Sequence, residues 1–168
     1  LALGFGSRRW TYSEIDLEVS RAVSVLARHG ICAGDRVVVQ SKNRPEIVIL
    51  FHALARLWAT LVPLNPRLTA FETKRLCDRL NSKVILAEAD LDSLCDGPAS
   101  SLSARVDERA CAVVLLTSGT TGTPKLVELS HLNFRAAADA NAKNLGSDPS
   151  QCWLGTLPLF HVGGLTLI

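Results

Sequence analysis

An α/β fold, with a layered and largely parallel sheet covered by helices on both faces, is predicted by three observations. Short apolar runs rich in β-branched residues alternate with stretches of helical periodicity, the signature of strand–helix–strand units. One run, Ala112-Val113-Val114-Leu115-Leu116, carries no charge, as a strand buried on both faces requires. The 168 residues, 48% of them hydrophobic and 20% charged, suffice for one domain with its own packed core.

The elements follow in order. Trp10-Thr11-Tyr12 leads into Ser13, which with Asp16 forms a capping-box pattern. Ile15, Val19, Ala22 and Leu26 then recur at helical spacing, and Gly30 stands at the C′ position that ends the helix. Ala33-Gly34-Asp35 is a turn into a short strand, Arg36 to Gln40. Pro45 suits the first turn of a second helix, whose residues Ile47 to Trp58 are apolar nearly all round and so belong between layers. Thr60 to Pro63 is a buried strand, broken by Leu64-Asn65-Pro66. Thr69 and Glu72 make another capping box, opening a helix to about Asn81, and Lys83 to Ala87 is a further strand. From Glu88 to Arg109 the periodicity vanishes among acidic residues, Ser and Gly-Pro, which predicts a surface connector without chemistry. After the Ala112 strand, Ser130 caps a helix through Asn141 and beyond, and a last strand is expected near Trp153 to Leu157.

Composition narrows the function. A net charge of +2 with scattered Lys and Arg points to neither a nucleic-acid groove nor a polybasic membrane face. No apolar run is long enough to span a membrane, and Leu1 to Trp10 lacks the order of a signal peptide. Five cysteines without a C-x-x-C, and four histidines without ligand spacing, signal neither a disulfide framework nor a zinc site. Reduced, mostly buried cysteines suit a cytoplasmic protein.

The chemistry concentrates in Thr117-Ser118-Gly119-Thr120-Thr121-Gly122-Thr123-Pro124-Lys125, directly after the uncharged strand. Glycines let backbone N–H groups face an anion, hydroxyls add neutral donors, and Lys125 adds a mobile charge. A polyphosphate suits such a loop, and a flexible Ser/Thr/Gly connector is the plainer alternative. The spacing is not that of a Walker A loop. In open parallel sheets ligands gather at the carboxyl ends of strands, where this loop and the segment 158–165 are expected to lie.

Thr117 to Lys125 resembles the signature loop of the adenylate-forming enzymes. Pro158-Leu159-Phe160-His161-Val162-Gly163-Gly164-Leu165 is similar to the aromatic–histidine–glycine segment of their acyl-CoA synthetase branch. Arg9 to Glu14, Gly34 to Val37 and Val62 to Pro66 match the same family less specifically. The resemblance implies the N-terminal part of an AMP-binding large domain over 1–168, in an ATP-dependent acid–thiol ligase. Such an enzyme joins a carboxylic acid to AMP with release of pyrophosphate and passes the acyl group to coenzyme A, with Mg²⁺ bridging the phosphates. It implies ATP contacts at Thr117, Ser118, Gly119, Thr120, Thr121, Gly122, Thr123 and Lys125. Acid-side contacts fall at His161, with Gly163 and Gly164 leaving room for the acyl group. Leu126 departs from the family, which usually has glycine after the loop lysine.

Asn144-Leu145-Gly146, Trp153-Leu154 and the segment 157–165 look most like the o-succinylbenzoate–CoA ligases of menaquinone synthesis. Fatty-acyl or aryl-CoA ligases, or a truncated nucleotide-binding module without turnover, are the alternatives. The chain contains no methionine and stops inside an apolar run, so a piece of a longer protein is expected, inactive alone and prone to self-association.

Overall fold

The computed structural model describes residues 1–82, 84–101, 106–117, 124–146, 148 and 150–168. A hairpin absent from the sequence reading opens the chain. In it β1 (Leu3–Phe5) pairs antiparallel with β2 (Arg8–Trp10), turning at Gly6 with φ +57°. Trp10 is buried, and the Arg8 guanidinium lies 4.4 Å from its ring centroid.

Helix α1 (Tyr12–Arg28) begins before the predicted Ser13 cap. The N-cap is Thr11, whose hydroxyl accepts from the Glu14 N–H at 3.3 Å while the Glu14 carboxylate accepts from the Thr11 N–H at 2.7 Å. Both Thr11–Glu14 and Ser13–Asp16 have the right spacing, but glutamate has the reach to close the box. Gly30, at φ +78°, ends the helix as predicted. Its N–H bonds the Ala27 carbonyl and the Ile31 N–H bonds that of Leu26, the two bonds of a Schellman motif.

The next four elements keep to the predicted plan: β3 (Arg36–Gln40), α2 (Pro45–Arg56), β4 (Thr60–Leu64) and α3 (Ala70–Leu80). Helix α2 stops short of the predicted Trp58, which holds φ +59°. The Thr69–Glu72 box caps α3, and Asn81 ends it in the left-handed region. Strand β5 (Val84–Leu86) follows. Within the stretch read as a connector lies a short helix, α4 (Glu88–Asp92), and Leu91 and Leu94 are buried in the main core. One turn of helix is too short to show a period. Then come β6 (Cys111–Thr117), β7 (Lys125–Ser130), α5 (His131–Leu145, capped by Ser130 as predicted) and α6 (Val162–Leu165). No strand forms at Trp153 to Leu157; that stretch is irregular.

The main sheet has the order β5-β3-β4-β6-β7, parallel throughout except for the antiparallel β6–β7 pair. The largely parallel sheet covered on both faces is therefore what forms. From β3 the chain steps to β4 on one side, then returns to β5 on the other. Crossovers of one hand that reverse direction must lie on opposite faces. Accordingly α1 and α2 pack on Val37, Val39, Leu61, Val113 and Leu115. The other face of the same strands, Val38, Val62, Leu64 and Val114, takes Leu76, Cys77 and Leu80 of α3. Adjacent residues serve opposite cores, which is why these strands read as unbroken apolar runs.

Candidate functional site

A half-open cleft of about 200 Å³ lies at the carboxyl ends of β4 and β6. Its lining comes from the end of β4 and the following turn (Pro63, Leu64, Asn65, Leu68), the end of β6 (Leu116, Thr117), Pro124, and Phe160 with His161. These segments are far apart in sequence; the parallel sheet brings them together by aligning the ends of its strands. The walls are mostly apolar, with polar groups at the rim.

Gln40, the last residue of β3, fixes the wall after β4. Its side-chain nitrogen donates to the Leu68 carbonyl at 2.8 Å and the Asn65 carbonyl at 3.3 Å, and its oxygen accepts from the Thr73 hydroxyl at 3.3 Å. One carboxamide thus ties the strand end, the turn and α3 together.

Thr117 and Lys125 face each other across the β6–β7 pair and bracket the sequence-predicted phosphate loop. Ser118, Gly119, Thr120, Thr121, Gly122 and Thr123 lie outside the described residues. Both bracketing residues are exposed, and Lys125 has no carboxylate partner among the described residues. An uncompensated ammonium opposite a hydroxyl, at strand ends, is a donor set that fits a polyanion. The Arg79 guanidinium at the end of α3 donates to the Pro124 carbonyl at 3.1 Å and ties down the loop's exit. Leu126, the departure noted in the sequence, continues β7 opposite Leu116 and packs on the smaller core. The side chain leaves the strand's path intact.

His161 is exposed, and its ring centroid lies 4.5 Å from that of Phe160. It stands at the N-cap of α6 and not at a strand end. Gly163 is exposed, and a Cβ there would meet only the Leu157 Cδ1, at 3.2 Å. Gly164 is buried against its own chain: a Cβ would lie 2.2 Å from the Pro158 carbonyl oxygen. Glycine is thus required at 164 by backbone contact, whatever ligand is nearby.

Sequence reasoning missed Asn43, in the β3–α2 turn. Its carboxamide donates to the Leu157 carbonyl and accepts from the Leu159 N–H, each at 2.8 Å. Gln40 and Arg79 were missed too, since each acts through a turn that the sequence places elsewhere. Among the described residues, no group of three or more His, Cys, Asp or Glu could hold a metal ion, and no helix is long and apolar enough to cross a membrane.

A family model described as AMP-binding enzyme matches residues 1–107 and 92–168. The chain belongs to the AMP-binding enzyme family. Among curated relatives, a 2-succinylbenzoate–CoA ligase of Geobacillus kaustophilus is 32% identical over 182 residues, 99% of this chain and 37% of the relative. One from Bacillus cereus is 31% identical over 179 residues, with the same two shares. The chain thus spans 37% of the length of these relatives. Among solved structures, the o-succinylbenzoate coenzyme A synthetase of Bacillus subtilis in complex with AMP superposes with a TM-score of 0.89 at 29% identity. That match covers 97% of this chain and 47% of the other. The same enzyme with ATP and magnesium ion has a TM-score of 0.87 at 28% identity, covering 96% and 48%. The AMP-binding fold of the chain is therefore that of adenylate-forming ligases.

Proposed function

We propose that these residues form the ATP-side part of an acid–CoA ligase that activates a carboxylate, 2-succinylbenzoate being the foremost substrate. A carboxylate oxygen attacks the α-phosphorus of Mg·ATP, the bond to pyrophosphate breaks, and the thiol of coenzyme A then displaces AMP from the acyl carbon. The observation that carries this reading is the cleft at the ends of β4 and β6, lined in part by Thr117 and Pro124, the described residues on either side of the hydroxyl- and glycine-rich sequence 118–123. Thr117, Ser118, Gly119, Thr120, Thr121, Gly122, Thr123 and Lys125 would hold the phosphates as charge builds on the departing pyrophosphate. Mg²⁺ belongs with the nucleotide substrate. Phe160 and His161 would face the acid, and the missing side chain at Gly163 would leave room for the acyl group; the apolar walls of the cleft suit an aromatic acid. The named relatives support the choice of acid. A cytoplasmic site of action fits ATP and coenzyme A as substrates.

Acid-dependent exchange of pyrophosphate into ATP, by the product of the whole gene, tests the reading. Exchange is expected with 2-succinylbenzoate in preference to fatty or simple aryl acids. No exchange with any acid refutes the ligase; preference for a fatty acid refutes the substrate.

A further inference from the structure

Residues 157–159 have no strand beside them among the described residues, yet two of their backbone groups are paired as if they had. In a parallel ladder one residue bonds the carbonyl of residue i−1 and the N–H of residue i+1 on its neighbour. Asn43 makes this pair of bonds from its side chain, to Leu157 and Leu159 at 2.8 Å each, with Pro158 as residue i. Proline fits there, because it has no N–H to leave unpaired. Its carbonyl is used elsewhere, accepting from the His161 N–H at 3.1 Å.

We infer that Asn43 is a positioning residue: its carboxamide stands in for a strand and sets where Phe160 and His161 sit on the cleft. Leu165 is buried and Leu159 packs on the main core, so apolar contacts hold the segment down. Such contacts are non-directional and do not set register along the chain. Two opposed hydrogen bonds from one planar group do. The group is itself well placed, between the end of β3 and Pro45 at the start of α2. Only a primary amide of this length offers the required donor and acceptor. Leucine offers neither, and an ionised aspartate turns a second acceptor toward the Leu157 carbonyl. The inference rests on the reading of the cleft as the acid and nucleotide site.

The test follows Leu159 amide exchange by NMR, with Val38 and Val62 as references within the sheet. Asn43→Ala is expected to speed exchange at Leu159 about tenfold and leave the references unchanged. Asn43→Asp keeps the acceptor for the Leu159 N–H and loses only the donor to the Leu157 carbonyl, so at neutral pH its Leu159 exchange is expected to lie between that of the wild type and that of Asn43→Ala. Unchanged exchange at Val38 and Val62 in both variants separates loss of the clamp from a general folding defect. In pyrophosphate exchange by the whole gene product, Asn43→Ala is expected to raise KM for the acid about tenfold, with KM for ATP within about twofold. Unchanged Leu159 exchange overturns the clamp. Faster exchange with unchanged acid KM overturns the positioning role. Wild-type protein without acid-dependent exchange overturns the ligase reading and that role together, while Leu159 still reports whether the clamp exists.

Discussion

The Gly34 N–H donates to the Trp58 carbonyl at 2.9 Å, and both residues hold positive φ, +87° and +59°. With the Thr60 N–H on the Asp35 carbonyl at 2.8 Å, this contact sets the register in which β3 and β4 begin. Glycine adopts such a φ freely, whereas a side chain there costs about 1–2 kcal/mol. The entrance to the sheet therefore holds one strained residue, Trp58.

Comparing Trp58→Gly with Trp58→Ala isolates that strain, because both remove the indole. The glycine variant is expected to be the more stable by about 1 kcal/mol in urea denaturation, against the usual order of the two residues. An alanine variant equal to it or better would show that Trp58 is not strained.

Legibility in the sequence tracks the range of the forces involved. Gly30, Asn81 and the Thr69–Glu72 box mark their helix ends because the partners lie within a turn of one another. The β3 and β4 runs are legible because burial on both faces leaves no polar residue at positions 37–39 or 61–64. Asn43 is not legible: its partners lie 114 and 116 residues along the chain. For the same reason Trp153 to Leu157 reads as a strand from composition, although only its last residue, Leu157, meets a strand-like partner, the distant Asn43 side chain. In the candidate site the loop chemistry stands in the sequence, but the walls that make it a cleft come from three turns that only the sheet brings together.

The capping boxes make stability depend on pH. The Thr11 backbone N–H, and next its hydroxyl, hold the Glu14 carboxyl below its ordinary 4.5, and Thr69 does the same for Glu72. A carboxyl lowered in the fold contributes stability above its unfolded pKa and loses it as pH falls through the folded one. Stability is therefore expected to decline as pH drops below the ordinary 4.5. In Glu14→Gln/Glu72→Gln the amides still reach the cap N–H groups but cannot titrate. Urea midpoints at about pH 6 and about pH 3 should differ less in that variant than in the wild type. An equal difference would place the acid sensitivity elsewhere.

Lys125 is expected to act on the reaction and not on the fold. It is exposed and has no carboxylate partner among the described residues, so Lys125→Ala should change stability by no more than about 0.5 kcal/mol. Losing a charged contact to a transferring phosphate costs roughly 2–4 kcal/mol in the transition state, about thirtyfold to a thousandfold in rate. Pyrophosphate exchange by the whole gene product reads the loss, and a wild-type rate would remove Lys125 from the phosphate site.

Gly163 and Gly164 look alike in the sequence and are expected to respond in opposite ways. A methyl at 164 would lie 2.2 Å from the Pro158 oxygen, 2.7 Å from its carbonyl carbon and 2.9 Å from the Leu157 oxygen. All three are backbone atoms, so the strand-like segment itself must move, and it is the segment that Asn43 holds. Overpacking typically costs 1–3 kcal/mol, and a clash with backbone belongs at or above the upper end of that range. At 163 the nearest atom is the tip of the exposed Leu157 side chain at 3.2 Å, which can rotate away. Gly164→Ala is therefore expected to lower the urea midpoint and speed Leu159 exchange, while Gly163→Ala should leave both near wild type. If the acid lies beside residue 163, Gly163→Ala should instead raise KM for the acid in pyrophosphate exchange. A Gly163 variant silent in every measurement would leave only His161 and Phe160 facing the acid, and a stable Gly164 variant would mean that the 157–158 backbone does not press on α6.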